Sequence, residues 1–179
     1  MPFGRKLVGE HVLLREARPS DVAARQELGS HAEIERMFGA AHPASSTVTR
    51  AVAEAWIANL GGDGRIEWVV EAEGRFLGIA RLHSLAGGSA RYAVGFFDPA
   101  RLGQGYGREV TRLVLDYAFG ELGLEEVTLA VLAFNERAQR CYRACGFREV
   151  GRIAHAAVID DEPFDDILMA VTASGRPTP

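Results

Sequence analysis

The spacing of apolar and polar positions changes several times along the chain, and each change marks a new element. An apolar run at about 10–17 is short enough for a strand. Pro19, Ser20 and Asp21 follow as a helix start, with Val22, Ala23 and Leu28 behind them. Over 47–60, Val52, Ala53, Trp56, Ile57 and Leu60 recur at helical spacing until Gly61 and Gly62 stop the run. Two strand patterns, 66–72 and 75–82, flank Glu73-Gly74, a dipeptide that predicts a tight hairpin turn. Gly87-Gly88 separates the second from a third strand at 90–97, so this part reads as an antiparallel meander.

The pattern then lengthens. A helix is predicted over 105–121, where Val110, Leu113, Val114, Tyr117 and Ala118 share one apolar face. A nearly continuous apolar strand, 127–132, reads as buried on both faces in the manner of parallel strands. Asn135 is a good N-cap for a shorter helix whose Ala138, Cys141, Tyr142 and Cys145 share a face, and Gly146 suits its C-terminus. Phe147 opens two final strands, about 148–158 and 163–171, on either side of the acidic turn Asp160, Asp161, Glu162. Strand–helix–strand–helix–strand between a meander and a hairpin predicts a mixed α/β (α+β) sheet in one layered domain. No repeat, low-complexity tract or linker interrupts it; residues 1–173 read as the domain and 174–179 as a disordered tail.

Composition narrows the class. A chain of 179 residues, 47% hydrophobic and 25% charged, has the balance of one globular domain. Its net charge is −4, and among 20 basic residues only Lys6 is a lysine; no basic run points to nucleic acid or an anionic membrane. No apolar stretch approaches the roughly 20 residues of a membrane span, and the N-terminus carries no signal-like apolar segment. Cys141 and Cys145, four apart on a predicted helix, make a poor disulfide frame and not a zinc pattern, so they read as small core residues and no metal is expected. A reducing, cytoplasmic setting fits them, and the arginine-rich, lysine-poor usage hints at a bacterial source.

The glycine count is high: 20 of 179, or about 11% against an average near 7%. Most of these residues punctuate elements. Gly103-Gln104-Gly105-Tyr106-Gly107 stands apart, because it joins a predicted strand to the long helix. Amides at a helix N-terminus are unpaired and the dipole end is positive, so glycines there let a phosphate approach the backbone. Arg108 adds a charged donor. The spacing is not that of a dinucleotide fingerprint, since Arg108 stands where the third glycine belongs, and no Gly-Lys pair exists for a P-loop.

With its flanks, this segment reads Phe97-Asp98-Pro99-Ala100-Arg101-Leu102-Gly103-Gln104-Gly105-Tyr106-Gly107-Arg108-Glu109, and it resembles the acetyl-CoA loop of GCN5-related N-acetyltransferases (GNAT). Gly105 and Gly107 match the family pattern, while Leu102 stands where Gln or Arg is usual. Downstream, Asn135-Glu136-Arg137-Ala138-Gln139-Arg140-Cys141-Tyr142 with Cys145-Gly146-Phe147 is similar to the family's Asn-x-x-Ala-x-x-x-Tyr-x-x-x-Gly-Phe block. The likeness is strong over 94–151 and is nearest the RimJ/RimL (ribosomal-protein-acetyltransferase-like) branch. It implies a mostly antiparallel sheet of about seven strands with a splayed parallel pair and about four helices.

The resemblance also implies the chemistry. The splay between strands 90–97 and 127–132 admits the pantetheine arm, with Gly95, Phe96 and Phe97 pairing to it as an added strand would. Gly103, Gln104, Gly105, Tyr106, Gly107 and Arg108 hold the pyrophosphate of acetyl-CoA, and Asn135 reaches the cofactor or a water beside it. An amine attacks the thioester directly and Tyr142, protonated at neutral pH, supplies the proton to the leaving thiolate. Two positions that carry a glutamate base in parts of the family are Ala93 and Ala130 here. His83, Glu67, Glu71 or water alone remain as bases, and His83 titrates in the right range. The acidic turn with Asp165 and Asp166 is a candidate attractor for a cationic amine, or simply a solvated hairpin. Trp56 and Trp68 read as core or as walls of the acceptor pocket.

The leading expectation is an acetyl-CoA-dependent N-acetyltransferase acting on a protein N-terminal α-amine, as a monomer or homodimer. The alternatives are a small-molecule amine (an amino acid, polyamine or antibiotic) and, from another class, a non-catalytic acyl-CoA-binding module.

Overall fold

A computed structural model describes residues 4–62 and 64–176. A single sheet of eight strands runs through the molecule in the order β1-β2-β3-β4-β5-β6-β8-β7. The strands are β1 (Leu7–Val8), β2 (Val12–Arg15), β3 (Arg65–Ala72), β4 (Arg75–Ala86), β5 (Ser89–Phe96), β6 (Glu126–Leu132), β7 (Arg148–Ile159) and β8 (Glu162–Thr172). Every neighbouring pair is antiparallel except β5 and β6. The count exceeds the expected seven because two-residue β1 pairs with β2 ahead of the first legible strand.

Among the described residues five α-helices cover the sheet: α1 (Ser20–Leu28), α2 (Ala32–Met37), α3 (Arg50–Ala58), α4 (Tyr106–Asp116) and α5 (Glu136–Arg143). Four were expected; α2 is the addition. The long helix predicted to 121 ends as α4 at Asp116 and continues as a π-helical turn, Tyr117–Glu121. Of the expected tail 174–179, Ser174 and Gly175 complete a 3-10 turn, Ala173–Gly175, and Arg176 bonds to Asp116, while 177–179 lie outside the described residues. No helix among the described residues is long and apolar enough to cross a membrane.

Side-chain alternation divides the sheet into two unlike faces. On one, Leu14, Trp68, Ala80, Leu82, Tyr92, Val127, Leu129 and Met169 pack against Val110, Val114, Leu115 and Ala118 of α4 and Tyr142 and Cys145 of α5. This is the main core, and it contains Trp68, fully buried with its indole N–H donated to the Arg5 carbonyl at 2.9 Å. The other face meets α1 to α3 and keeps more polar side chains. The strand expected to be buried on both sides, β6, is buried throughout on the core side, whereas on its other face Leu132 is buried but Thr128 and Ala130 stay partly open. That face borders a cleft instead of a helix layer.

One buried ion network fastens α1 to the sheet. Arg15 on β2 grips Asp21 of α1 through both terminal nitrogens, at 2.9 and 2.8 Å, and gives its Nε to Glu71 on β3 at 2.7 Å. The Arg18 amide adds a bond to Asp21 at 2.6 Å. Arg15 and Asp21 are both almost fully buried, so removing one partner strands a charge away from water. Asp21→Ala is expected to lower stability by about 3–5 kcal/mol in urea denaturation, with the m-value unchanged.

Candidate active site

Strands β5 and β6 pair over only three rows, Ser89 with Glu126, Ala90 with Val127 and Arg91 with Thr128. Beyond Arg91 and Thr128 the two edges part. A cleft of about 1040 Å³ opens there, bordered by Ala93, Gly95, Phe96 and Phe97 on one side and Ala130, Val131 and Leu132 on the other.

Both helices that follow these strands begin at this opening. Chain leaving β5 turns through Asp98, whose carboxylate caps a short 3-10 turn at the Ala100 amide, and reaches α4 through the glycine loop. Gly105 is the N-cap with φ +92°, a left-handed conformation that glycine adopts without strain. Five successive amides, from Gly103 to Gly107, donate to no other described group. A Cβ at Gly103 or Gly105 would meet nothing within 4 Å, so the backbone at these two glycines is uncrowded. Unpaired amides in uncrowded backbone at a positive helix end fit an anion such as a pyrophosphate. Arg108 and Arg140 also line the cleft.

The side chains of the loop serve different ends. Tyr106 is buried and its hydroxyl donates to Glu73 at 3.0 Å, beside Arg101, which reaches the same carboxylate at 2.7 Å. Gln104 turns back to the Ala100 carbonyl at 2.7 Å. Neither side chain borders the cleft, so Tyr106 and Gln104 can offer it only backbone. Leu102, in place of the usual polar residue, does border it.

Asn135 begins α5 and accepts the Ala138 amide at 3.2 Å, so it caps the helix while it lines the cleft. Seven residues on, Tyr142 is 8% exposed, edge-on to Tyr92 and Phe147, and its hydroxyl has no described partner. Burial pushes its pKa upward, with the nearby thiols of Cys141 and Cys145 adding to the effect, so the phenol is protonated at neutral pH. It reaches the cleft wall as an uncommitted proton donor.

Trp56 of α3, Phe76 of β4 and Phe97 just after β5 form an aromatic cluster beside the splay. Phe97, Trp56 and Phe76 pack edge-on or stacked, and the Arg25 guanidinium lies 4.4 Å from the Phe97 ring centre. Trp56 lines the cleft, whereas Trp68 does not. Phe38, just after α2, comes so close to Gly95 that a Cβ there would stand 2.6 Å from its ring. Glycine at 95 therefore lets Phe38 sit at the mouth of the cleft.

The expected bases fall elsewhere. His83 on β4 stands opposite Arg65 and Arg91, at the end where β5 and β6 are still paired, and it does not border the cleft. Burial, with Arg81, Arg91 and Arg65 behind it, lowers its pKa. Glu67 is buried, accepts the Gly61 amide at 2.7 Å and faces Arg81 and Arg65 at 3.8 and 3.9 Å. Glu71 is taken by Arg15. Ala93 and Ala130 both line the cleft as short side chains. In the acidic turn, Asp160 pairs with Arg36 at 3.2 Å, and Asp165 accepts the His155 amide at 3.0 Å. Asp166 alone of these acids borders the cleft.

The comparisons agree with this geometry. The family model for the acetyltransferase (GNAT) domain matches residues 11–148, and the chain belongs to that family. It is therefore an acetyl-CoA-dependent acetyltransferase. A Bacillus subtilis relative, described as a prophage-derived uncharacterized N-acetyltransferase YokL, is 26% identical over 92% of this chain and 91% of its own. Among solved structures, Vibrio cholerae spermidine N-acetyltransferase in complex with CoA and spermine superposes with a TM-score of 0.76 at 22% identity, covering 93% of this chain and 98% of that one. Mycobacterium smegmatis RimJ in complex with CoA-disulfide gives 0.78 at 21%, covering 98% and 88%.

The two cysteines are less alike than their sequence context suggests. Cys145 is buried and Cys141 is half-buried on the cleft wall. Their mutual hydrogen bond holds Cys141 below the usual thiol range and pushes Cys145 up. A small aromatic disulfide reagent at neutral pH is expected to titrate one thiol in the native protein and both after denaturation, and Cys141→Ser is expected to abolish the native reaction.

Proposed function

We propose that this enzyme moves the acetyl group of acetyl-CoA to a singly charged primary amine, foremost the α-amine of a peptide N-terminus. The observation that carries this reading is the charge of the cleft. Asp166 is the one acid among its lining residues, against Arg81, Arg108, Arg137 and Arg140. Such a site suits one ammonium group and a phosphorylated cofactor. A polyamine, with several positive charges, would meet more repulsion than attraction.

Amine chemistry points the same way. At pH 7 roughly 10% of an α-amine of pKa about 7.8 is neutral, against under about 0.1% of a lysine of pKa about 10.4. With alanine at 93 and 130, where the family resemblance would place a glutamate base, the more easily deprotonated amine has an advantage of at least about a hundredfold. The exposed ring of Phe38 and the Trp56 wall offer apolar contact for the first side chain of a peptide.

The geometry above supports the following assignments. The amides of Gly103 to Gly107 and Arg108 hold the pyrophosphate. The free edge of β5 at Gly95, Phe96 and Phe97 takes the amides of the pantetheine arm as an extra strand would. Acetyl-CoA brings the activated acyl group. Asn135 orients the arm while capping α5, and Tyr142 protonates the leaving sulfur. The likeness to RimJ favours peptide acceptors and a place in the RimJ/RimL branch. A second reading, polyamine acetylation, draws on the likeness to the spermidine enzyme; the arginines of the cleft weigh against it.

The test is thiol release from acetyl-CoA with peptides of varied N-terminal residue, Nα-blocked lysine peptides, amino acids and spermidine. Peptide α-amines should lead in kcat/KM, with spermidine at least about tenfold behind. CoA binding without turnover on any amine would contradict the reading. Tyr142→Phe should lower kcat by about 10²-fold with the KM for acetyl-CoA little changed. Gly105→Ala should weaken CoA binding about tenfold in calorimetry, since a left-handed N-cap strains any side chain by about 1–3 kcal/mol.

A further inference from the structure

The proposed reaction needs a proton acceptor, and the residues expected to provide one are either occupied or outside the cleft. Asp166 differs from them in three respects. It lies on β8 directly opposite Leu132 of β6, two residues along from the Ala130–Leu168 row, so it shares a sheet face with Ala130. It borders the cleft, where the short side chains of Ala130 and Ala93 leave room before it. Its carboxylate makes no hydrogen bond or ion pair with any other described residue. Its neighbour Asp165, by contrast, holds the His155 amide and lies 3.5 Å from Arg152. A partly buried carboxylate without a protein partner is costly unless it meets a ligand.

We propose that Asp166 is the catalytic base of this enzyme: it receives the incoming ammonium group and takes its proton before the nitrogen attacks. This rests on the acetyl-transfer reading above. The ammonium gives one proton to Asp166, which passes it to solvent. The nitrogen lone pair then forms the C–N bond, the C–S bond breaks, and its electron pair leaves with the sulfur. The nitrogen's second proton is lost through solvent as the sulfur takes one from Tyr142, which solvent reprotonates. The products are one amide, one thiol and one released proton.

The surroundings suit this task. From β6 and β7 the side chains paired with Asp166 are Leu132 and Ile153, both apolar. Ile34 and Met37 of α2 line the same cleft. Arg91 on β5 is the charged group whose field reaches it and favours the anion. Burial outweighs Arg91 and raises the Asp166 pKa from its ordinary value, which makes it a stronger base than a solvated aspartate. The position does two things at once: the charge attracts an ammonium group, and the apolar neighbours Leu132 and Ile153 offer the carboxylate no competing partner. It also sets the substrate class, since a single carboxylate anchors a single ammonium.

The sign of the stability effect separates this role from a structural one. A raised folded-state pKa means that folding favours the protonated carboxyl, so its stabilising contribution is lost as pH rises through that pKa. At pH 7 the ionised group is a burden on the fold. Asp166→Asn should therefore leave the melting temperature equal or higher, whereas loss of a structural bond would lower it.

The experiment compares wild type, Asp166→Asn and Asp166→Glu for acetyl-CoA turnover with an N-terminal peptide across pH, alongside melting temperature and CoA affinity. Asp166→Asn should lose about 10²-fold or more in kcat at pH 7. That deficit should narrow as pH approaches the pKa of the amine, where solvent deprotonates it. CoA affinity should be unchanged, and Asp166→Glu should recover part of the rate. Wild-type turnover with an unchanged rate and pH profile in Asp166→Asn overturns the assignment of Asp166. A parallel fall in melting temperature and CoA affinity overturns it in favour of a structural role. Absence of turnover in wild type overturns the acetyl-transfer reading on which it rests.

Discussion

The parallel pairing of β5 and β6 is the constraint from which the site follows. Parallel neighbours cannot be joined by a hairpin, so the chain must cross the sheet through a helix and return. The crossover here is α4. Chain leaves β5 at its carboxyl end, and the N-terminus of α4 stands there; β6 runs the same way, and α5 begins beside it. Two helix N-termini are thus delivered to one end of one strand pair. The pair then parts after three rows. The opening, the unpaired amides and the positive ends of two helix dipoles coincide because the connectivity allows little else.

The remainder of the fold divides its labour between the two sheet faces. The α4–α5 face carries the dense apolar core, with Trp68, Leu82, Val114 and Met169 almost wholly buried. It holds the strands rigid up to the point of separation. The opposite face is covered only in part, by three short helices, and its charges are largely committed: Glu67 to the Gly61 amide, Glu71 and Asp21 to Arg15, Asp160 to Arg36. Pairing so many acids elsewhere leaves the cleft dominated by arginine, with one carboxylate in it. That charge pattern is the basis of the proposed preference for a singly charged amine beside a phosphorylated cofactor.

Much of this was legible in the sequence because it is local. The meander, the crossover helix, the capped α5 and Gly146 after it all follow from periodicity and from residues with strong conformational demands. The glycines at 103 and 105 have φ of +78° and +92°, so their chemistry could be read before any contact was known. What was not legible depends on register across several strands. His83 has the right chemistry, but its row lies at the closed end of the pair. The proposed base, Asp166, is one of several acids in a short segment, and its place opposite Leu132 and its lack of a partner among the described residues distinguish it. Helix α2 was missed for a related reason: in Ala32–Met37 only Ile34 is buried, too little for a periodic signal, yet it brings Phe38 to the cleft. The two-residue β1 is shorter still.

Amide hydrogen exchange with and without CoA tests the central claim most directly. If the splayed pair and the glycine loop hold the cofactor, saturating CoA should slow exchange in two separate segments, 93–97 and 103–107, and leave the closed rows of β5 and β6 at 89–91 and 126–128 unchanged. Tight binding of CoA with both segments exchanging as fast as in the free protein would contradict it.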